Sequence, residues 1–315
     1  MDTNSMDYKT LATSEARKAH YEENGYVVYP SLIRRDLCDR ALSVFRDEIK
    51  PFKGHIYRQA SANPEKHVYD SAGHMINSLL NPIASDGGKF PSFRKISSEI
   101  LTCRELYGAV EELLGSKAMM VQSMYFEGNP ATWSHQDTYY LDGEKIGSMV
   151  AAWIALEDID ERAGRFYVGV KSHLIDMVKN GGDFDIAFNH QRYKKLVEEI
   201  IQKQGVRLLA PPLKKGDVLF WNSKTIHGSF KPIDCKFSRN SYTAHFIPAG
   251  MRFLQLQNIV KTLKTSEIGG HCVYLPKDQN KKLNRMIFKL ECLFPKIFQT
   301  AKKIAVKIGT SKAKN

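Results

Sequence analysis

Residues His135-Gln136-Asp137 set an imidazole and a carboxylate two positions apart. In a strand, residues i and i+2 project to the same side, so both side chains aim at one point. Two histidines and one carboxylate on one face of an octahedron make the ligand set of non-haem Fe(II) oxygenases and leave three positions open. A 2-oxo acid fills two of these and O2 the third. The second histidine must come from elsewhere in the chain. His227, in Trp221-Asn222-Ser223-Lys224-Thr225-Ile226-His227-Gly228-Ser229, follows a strand-like run at 217–221. The 90 residues separating it from Asp137 leave room for the intervening strands of a barrel.

2-Oxoglutarate carries a second carboxylate, which needs a fixed cation in a dry pocket. Guanidinium binds carboxylate bidentately and keeps its charge when desolvated. Arg239 lies twelve residues after His227. A loop at 231–237, containing Pro232, is expected to return the chain antiparallel beside the His227 strand and set Arg239 deeper in the barrel. Ser241 shares its strand face and offers a hydroxyl to the same carboxylate.

The elements that must position these residues are mostly short strands. Runs at 25–30, 119–126, 148–156, 166–170, 206–210, 217–221 and 241–247 are rich in β-branched, aromatic and other apolar residues. After its first residue, Ser148–Leu156 is a continuous apolar run, as for a central strand buried on both faces. Helical spacing marks 35–49, with Asp36 as a cap, and 103–114, ending at Gly115. A polar helix at 190–204 reads as an insertion. The stretch 51–98 reads as long loops with short helical pieces, of the kind that cover active sites. Residues 281–308 repeat apolar residues at helical spacing between lysines, with Pro295 splitting the run. The fold class is mainly β with flanking helices, a barrel or sandwich with helices outside. Its parts are a loose N-terminal segment at 1–20, a catalytic domain at 21–250 and a basic helical extension at 251–315.

An isolated HxD arises often by chance. Here the order and spacing of His135-Gln136-Asp137, AAWIALEDIDERAG, KSH, KKGDVLFWNSKTIHGS and SRNS closely resemble the phytanoyl-CoA dioxygenase-like family of Fe(II)/2-oxoglutarate oxygenases, over roughly residues 20–250. The resemblance implies a double-stranded β-helix (jelly roll, cupin-like). It makes His135, Asp137 and His227 the catalytic iron ligands and Arg239 the 2-oxoglutarate anchor. It also brings Trp153 and Gln122 to the cosubstrate pocket. The family's usual Asn-Gly and Pro-Gly-Ser-His segments are replaced here by Ala163-Gly164-Arg165-Phe166 and Val170-Lys171-Ser172-His173, at positions that are chiefly structural. Halogenating relatives replace the iron carboxylate with a small residue. Asp137 therefore favours hydroxylation over halogenation. The implied cofactors are Fe(II), 2-oxoglutarate and O2, and the implied partner is a small-molecule substrate. The alternatives are a jelly-roll protein that binds a ligand without turnover, and a halogenase or desaturase on the same scaffold.

Bulk composition narrows the rest. The 315 residues are 43% hydrophobic and 25% charged, which is ordinary for a globular protein. Five cysteines without a CxxC pair suit reduced thiols and a cytoplasmic setting. No secretory signal or membrane-spanning run is expected. Of the net charge of +12, residues 277–315 carry +9, from eleven Lys plus Arg against two acids. The excess is thus an appendage, and nucleic-acid binding is not expected. Three readings of this tail are a helix packed on the barrel, an amphipathic helix on an anionic membrane surface, and, with least weight, a nucleic-acid contact. The sequence specifies neither oligomeric state nor substrate.

Overall fold

A computed structural model of the chain describes residues 11–182 and 189–312. Helix α1 (Ser14–Asn24) leads into β1 (Tyr26–Tyr29), and α2 (Arg35–Val44) continues through a π-helical turn at Phe45–Ile49. Short strands β2 (Ile56–Tyr57), β3 (Pro64–Glu65) and β4 (Leu79–Leu80) precede α3 (Pro91–Leu101) and α4 (Arg104–Leu114). Then follow β5 (Ala118–Phe126), β6 (Leu141–Gly143), β7 (Val150–Ala155), β8 (Phe166–Gly169), α5 (His190–Lys203), β9 (Leu208–Leu209), β10 (Val218–Asn222), β11 (His227–Ser229) and β12 (Ser241–Pro248). The chain ends with β13 (Phe253–Gln255), β14 (Ile259–Lys261), β15 (Thr265–Ile268), β16 (His271–Tyr274), α6 (Lys282–Leu293) and α7 (Pro295–Lys312).

The major sheet runs β1-β10-β7-β12-β5-β16-β15, with β4 also on β5. Its pairs are antiparallel except β16 with β5. A smaller sheet, β11-β8-β9, lies on the other side of the site. The core is a jelly roll. Because side chains alternate along a strand, each major strand serves two cores at once. Val150, Ala152 and Ile154 of β7 join Val218 and Phe220 of β10 and Tyr242, Ala244 and Phe246 of β12 in a cluster completed by α1–α4. Ala151, Trp153 and Ala155 join Leu219 and Trp221 in a second cluster, with Val168 and Leu209 of the small sheet. This explains why the β7 run is apolar at every position.

The expected helix at 103–114 and its left-handed cap at Gly115 are present. Pro295 separates two C-terminal helices, as its missing N–H requires. Five expectations need correction. Residues 14–20, read as part of a loose N-terminus, belong to α1, capped by Thr13 accepting from the Ala16 N–H. Residues 91–98, read within a stretch of long loops with short helical pieces, belong to the three-turn helix α3 with Phe93, Ile96 and Ile100 buried. The α3 cap is non-local: the Glu48 carboxylate accepts from the Ser92 and Phe93 N–H groups. Asp36 makes no cap and pairs with Arg34 instead. The chain beyond 250 is not helical from its start, since β13–β16 come first and β16 joins the major sheet. Finally, β12 does not run beside β11 but between β5 and β7 in the opposite sheet.

The outer core turns on Phe45, which is buried, stacked on Tyr125 with ring centroids 4.4 Å apart, and close to Phe93. We expect Phe45→Ala to destabilise the fold by about 3–5 kcal/mol, measured by urea unfolding. A loss below about 1 kcal/mol would mean that the cavity collapses or that this core carries little of the stability.

Candidate functional site

The segment 132–135 runs antiparallel along β11 as an irregular edge of the small sheet. Ser229 N–H donates to Thr132 O, and His135 and His227 exchange both backbone hydrogen bonds, at 3.0 and 2.9 Å. The two imidazoles therefore lie side by side, with ring centroids 4.3 Å apart. Asp137 is not in a strand, contrary to the expectation of a regular strand through the motif. It opens a 3-10 turn after the extended Gln136, and that one extended residue brings its carboxylate beside the rings. Several bonds fix this turn. Thr138 N–H donates to Ser223 O, Gln136 N–H donates to the Tyr193 hydroxyl, and the Gln136 amide donates to Lys224 O. Buried Asp142 helps tie the neighbouring loops, accepting from the N–H groups of Gly143, Gly147 and Met149 and from Ser223 Oγ.

Both histidines have a defined tautomer. His135 Nδ1 faces Trp133 O at 2.9 Å and His227 Nδ1 faces Thr225 O at 2.9 Å. A carbonyl only accepts, so each Nδ1 carries the hydrogen and each Nε2 is left with a free lone pair. These Nε2 atoms lie 3.8 and 3.4 Å from Asp137 Oδ1. One ligand atom from each of His135, Asp137 and His227 falls within 4.8 Å of the others. Burial, and then the neighbouring His227, push the His135 pKa down to about 4, partly offset by Asp137, so the ring is neutral near pH 7. Burial alone would raise the Asp137 carboxyl, but His227 and His245 hold it well below the usual range. Two imidazole nitrogens and one carboxylate in a buried site fit a divalent transition metal.

The other oxygen, Asp137 Oδ2, is held from behind. Trp221 Nε1 donates to it at 2.9 Å, and His245 Nε2 lies 3.4 Å away. His245 is buried on β12 with its Nδ1 unpartnered. Neither residue was expected from the sequence. The signal was present in Ser241, Thr243 and His245, polar residues at every second position of an otherwise apolar strand.

Arg239 is buried, and its position just before β12 puts it at the far end of the inner face. Its Nη1 donates to Gly164 O at 3.2 Å, its Nε has no partner, and it forms no ion pair among the described residues. Burial pushes its pKa down to about 9 with no neighbouring acid to offset it. A line of rings connects it to the metal-type site. Its guanidinium stands 6.0 Å over Trp153, Trp153 stacks on Phe166, and Phe166 lies 5.6 Å from His227. Gln122 pairs with His245 in register and so shares the inner face. Ser241 is on that face too, but its hydroxyl donates to Arg239 O at 3.2 Å. On the opposite side of His135, Trp133, Tyr140 and His190 form an aromatic wall, and α5 supports it through Tyr193. The helix read as an insertion is thus a wall of the site. Among the loop histidines, His173 braces α1 by bonding Glu22 O, and His67 is packed against Arg58.

The Trp221→Phe variant keeps a ring but removes the donor to Asp137. It should weaken divalent-metal affinity roughly 10–100-fold, measured anaerobically by competition with a chromophoric chelator. Unchanged affinity would show that Asp137 is held without this bond.

The sequence profile of the phytanoyl-CoA dioxygenase (PhyH) family matches residues 21–232. Peroxisomal phytanoyl-CoA dioxygenase of Bos taurus is 25% identical over 260 residues, covering 77% of this chain and 71% of the bovine protein. The Homo sapiens enzyme is 25% identical over 279 residues, covering 82% of this chain and 75% of its own length. Among solved structures, the non-heme alpha ketoglutarate dependent epimerase SnoN from nogalamycin biosynthesis aligns with a TM-score of 0.55 at 15% identity, covering 83% of this chain and 98% of SnoN. EctD from S. alaskensis, with bound Fe, aligns at 0.53 and 17%, covering 76% and 78%. These structural likenesses concern the fold. The profile match spans well over half the sequence, and the chain belongs to the phytanoyl-CoA dioxygenase family.

Proposed function

We propose that the protein is an Fe(II)- and 2-oxoglutarate-dependent oxygenase that hydroxylates a C–H bond of a small organic substrate. The observation that carries this reading is the convergence of His135 Nε2, His227 Nε2 and Asp137 Oδ1 within a buried site, both rings being fixed in the ligating tautomer. Arg239 is the second support. A desolvated guanidinium without a counter-charge is costly, and the distal carboxylate of 2-oxoglutarate would supply that charge. Trp153 and Gln122 line the same space, while Ser241 fixes the Arg239 backbone instead of donating freely.

When bound, Fe(II) with 2-oxoglutarate and O2 would supply the oxidation: the 2-oxo acid takes up one oxygen atom and loses CO2 to become succinate, and the other oxygen atom enters the substrate C–H bond. The chain's own residues set the geometry. Trp221 and His245 occupy Asp137 Oδ2, which leaves Oδ1 as the ligating oxygen. The rings of Trp153, Phe166 and Trp221 exclude water on the cosubstrate side. Trp133, Tyr140 and His190 face the side left for substrate, and their flat surfaces suit an organic molecule with apolar area. The carboxylate at 137 fills the place that a halide needs in halogenating relatives, so oxygen insertion is the favoured outcome.

Anaerobic titration of the protein with Fe(II) and 2-oxoglutarate should develop the weak visible charge-transfer band that the two give together. His135→Ala should abolish the band. Arg239→Ala should retain it but require on the order of 10–100-fold more 2-oxoglutarate, the cost of a lost charge-assisted pair. A folded wild-type protein that gives no band would instead favour a jelly roll that binds a ligand without turnover.

A further inference from the structure

The C-terminal helices present a surface that oxygenase chemistry does not use. Leu283, Met286, Leu290 and Leu293 recur at steps of three and four along α6, and Phe294, at the break between the helices, and Ile297 of α7 follow them. All six are exposed, Leu293 at 70% and Ile297 at 66%. Four large apolar side chains in one stripe, with two more exposed just beyond it, exceed the scattered exposure normal for a soluble surface.

The stripe is not the face of a loosely attached tail, because the other side of the helix pair is fixed to the body. Phe288 packs edge-on against Tyr57 at 5.1 Å. Glu291 is buried beneath the pair, with Lys302 Nζ at 3.3 Å and Lys277 Nζ at 3.8 Å. Lys302 also donates to Asn63 Oδ1 at 2.7 Å. These contacts orient both helices and turn the stripe outward.

Charge selects what covers it. Between 281 and 300 there are five basic residues, Lys281, Lys282, Arg285, Lys289 and Lys296, and one acid, the buried Glu291. Lys282 and Lys289 lie on exposed positions next to the stripe. Two copies meeting through this face would set like charges against one another. An anionic lipid surface satisfies both features, since acyl chains receive the Leu, Phe and Ile side chains while headgroups neutralise the lysines. We propose that the α6–α7 face docks the protein on an anionic membrane surface, lying in the interface without crossing it. No helix among the described residues is long and apolar enough to span a bilayer.

Full-length protein should be co-sedimented with vesicles of phosphatidylcholine alone and with roughly 30% phosphatidylserine added. Binding is expected only to the anionic vesicles and should fall as salt rises toward about 0.5 M. Leu293→Glu with Ile297→Glu should weaken it about tenfold or more, at an unchanged thermal midpoint. Lys282→Glu with Lys289→Glu tests the charge contribution separately, and it carries the test alone if the first pair misfolds. The proposal is overturned if wild type does not bind anionic vesicles, or if folded variants bind as wild type does. It is also overturned if sedimentation velocity shows a dimer that the substitutions dissolve, which would make the face a contact between copies. All these outcomes are independent of iron binding.

Discussion

The reciprocal backbone pair between His135 and His227 is the constraint on which the site depends. It joins a segment that has no regular secondary structure to the edge of a three-stranded sheet. With that pair made, the two imidazoles are neighbours by geometry, and each needs only the carbonyl two residues earlier to set its tautomer. Everything nearby then acts on Asp137. The 3-10 turn delivers it, α5 and the 222–225 loop hold the turn, and Trp221 reaches across from the major sheet to occupy one oxygen. The site thus spans the interior of the jelly roll, with the two imidazoles at the edge of the small sheet and the groups that hold Asp137 Oδ2 on the large one.

This division follows from the two-faced strands. One set of alternating residues in β7, β10 and β12 packs under the helices, and the other set lines the interior. The interior set mixes rings with a few polar groups. Burying Arg239 there opposes folding, because desolvation of a guanidinium costs several kcal/mol unless something compensates. The outer core, anchored by rings such as Phe45 and Tyr125, supplies the stability that tolerates this cost.

Much of this was legible in the sequence because the information was local. His135, Asp137, His227 and Arg239 stand out by residue type and spacing, and the β7 run announces a strand covered on both faces. What escaped had non-local causes. Helix α3 takes its cap from Glu48, and its own cap position is Phe90, which has no side-chain acceptor to mark the start. The placement of β12 in the opposite sheet depends on a crossover that a short loop at 231–237 does not reveal. His245 and Trp221 looked like ordinary strand residues until the sheets were folded over one another. Trp133 and Tyr193 join across 60 residues, beyond any periodicity argument.

The pairing of β5 has a consequence for how the chain can be divided. One edge of this strand is shared by two distant segments: β4 covers its end near Met124 and Tyr125, and β16 covers Met119 and Met120. The residues around the metal-type site are all in place by position 245, yet the strand next to His245 keeps an open edge until residue 273 arrives. An unpaired, apolar strand edge is a template for intermolecular pairing. During synthesis, then, the chain passes through an interval in which the chemistry is fully encoded but the sheet remains adhesive. A polypeptide ended at 250 would lack the strand that covers Met119 and Met120 on this edge of β5.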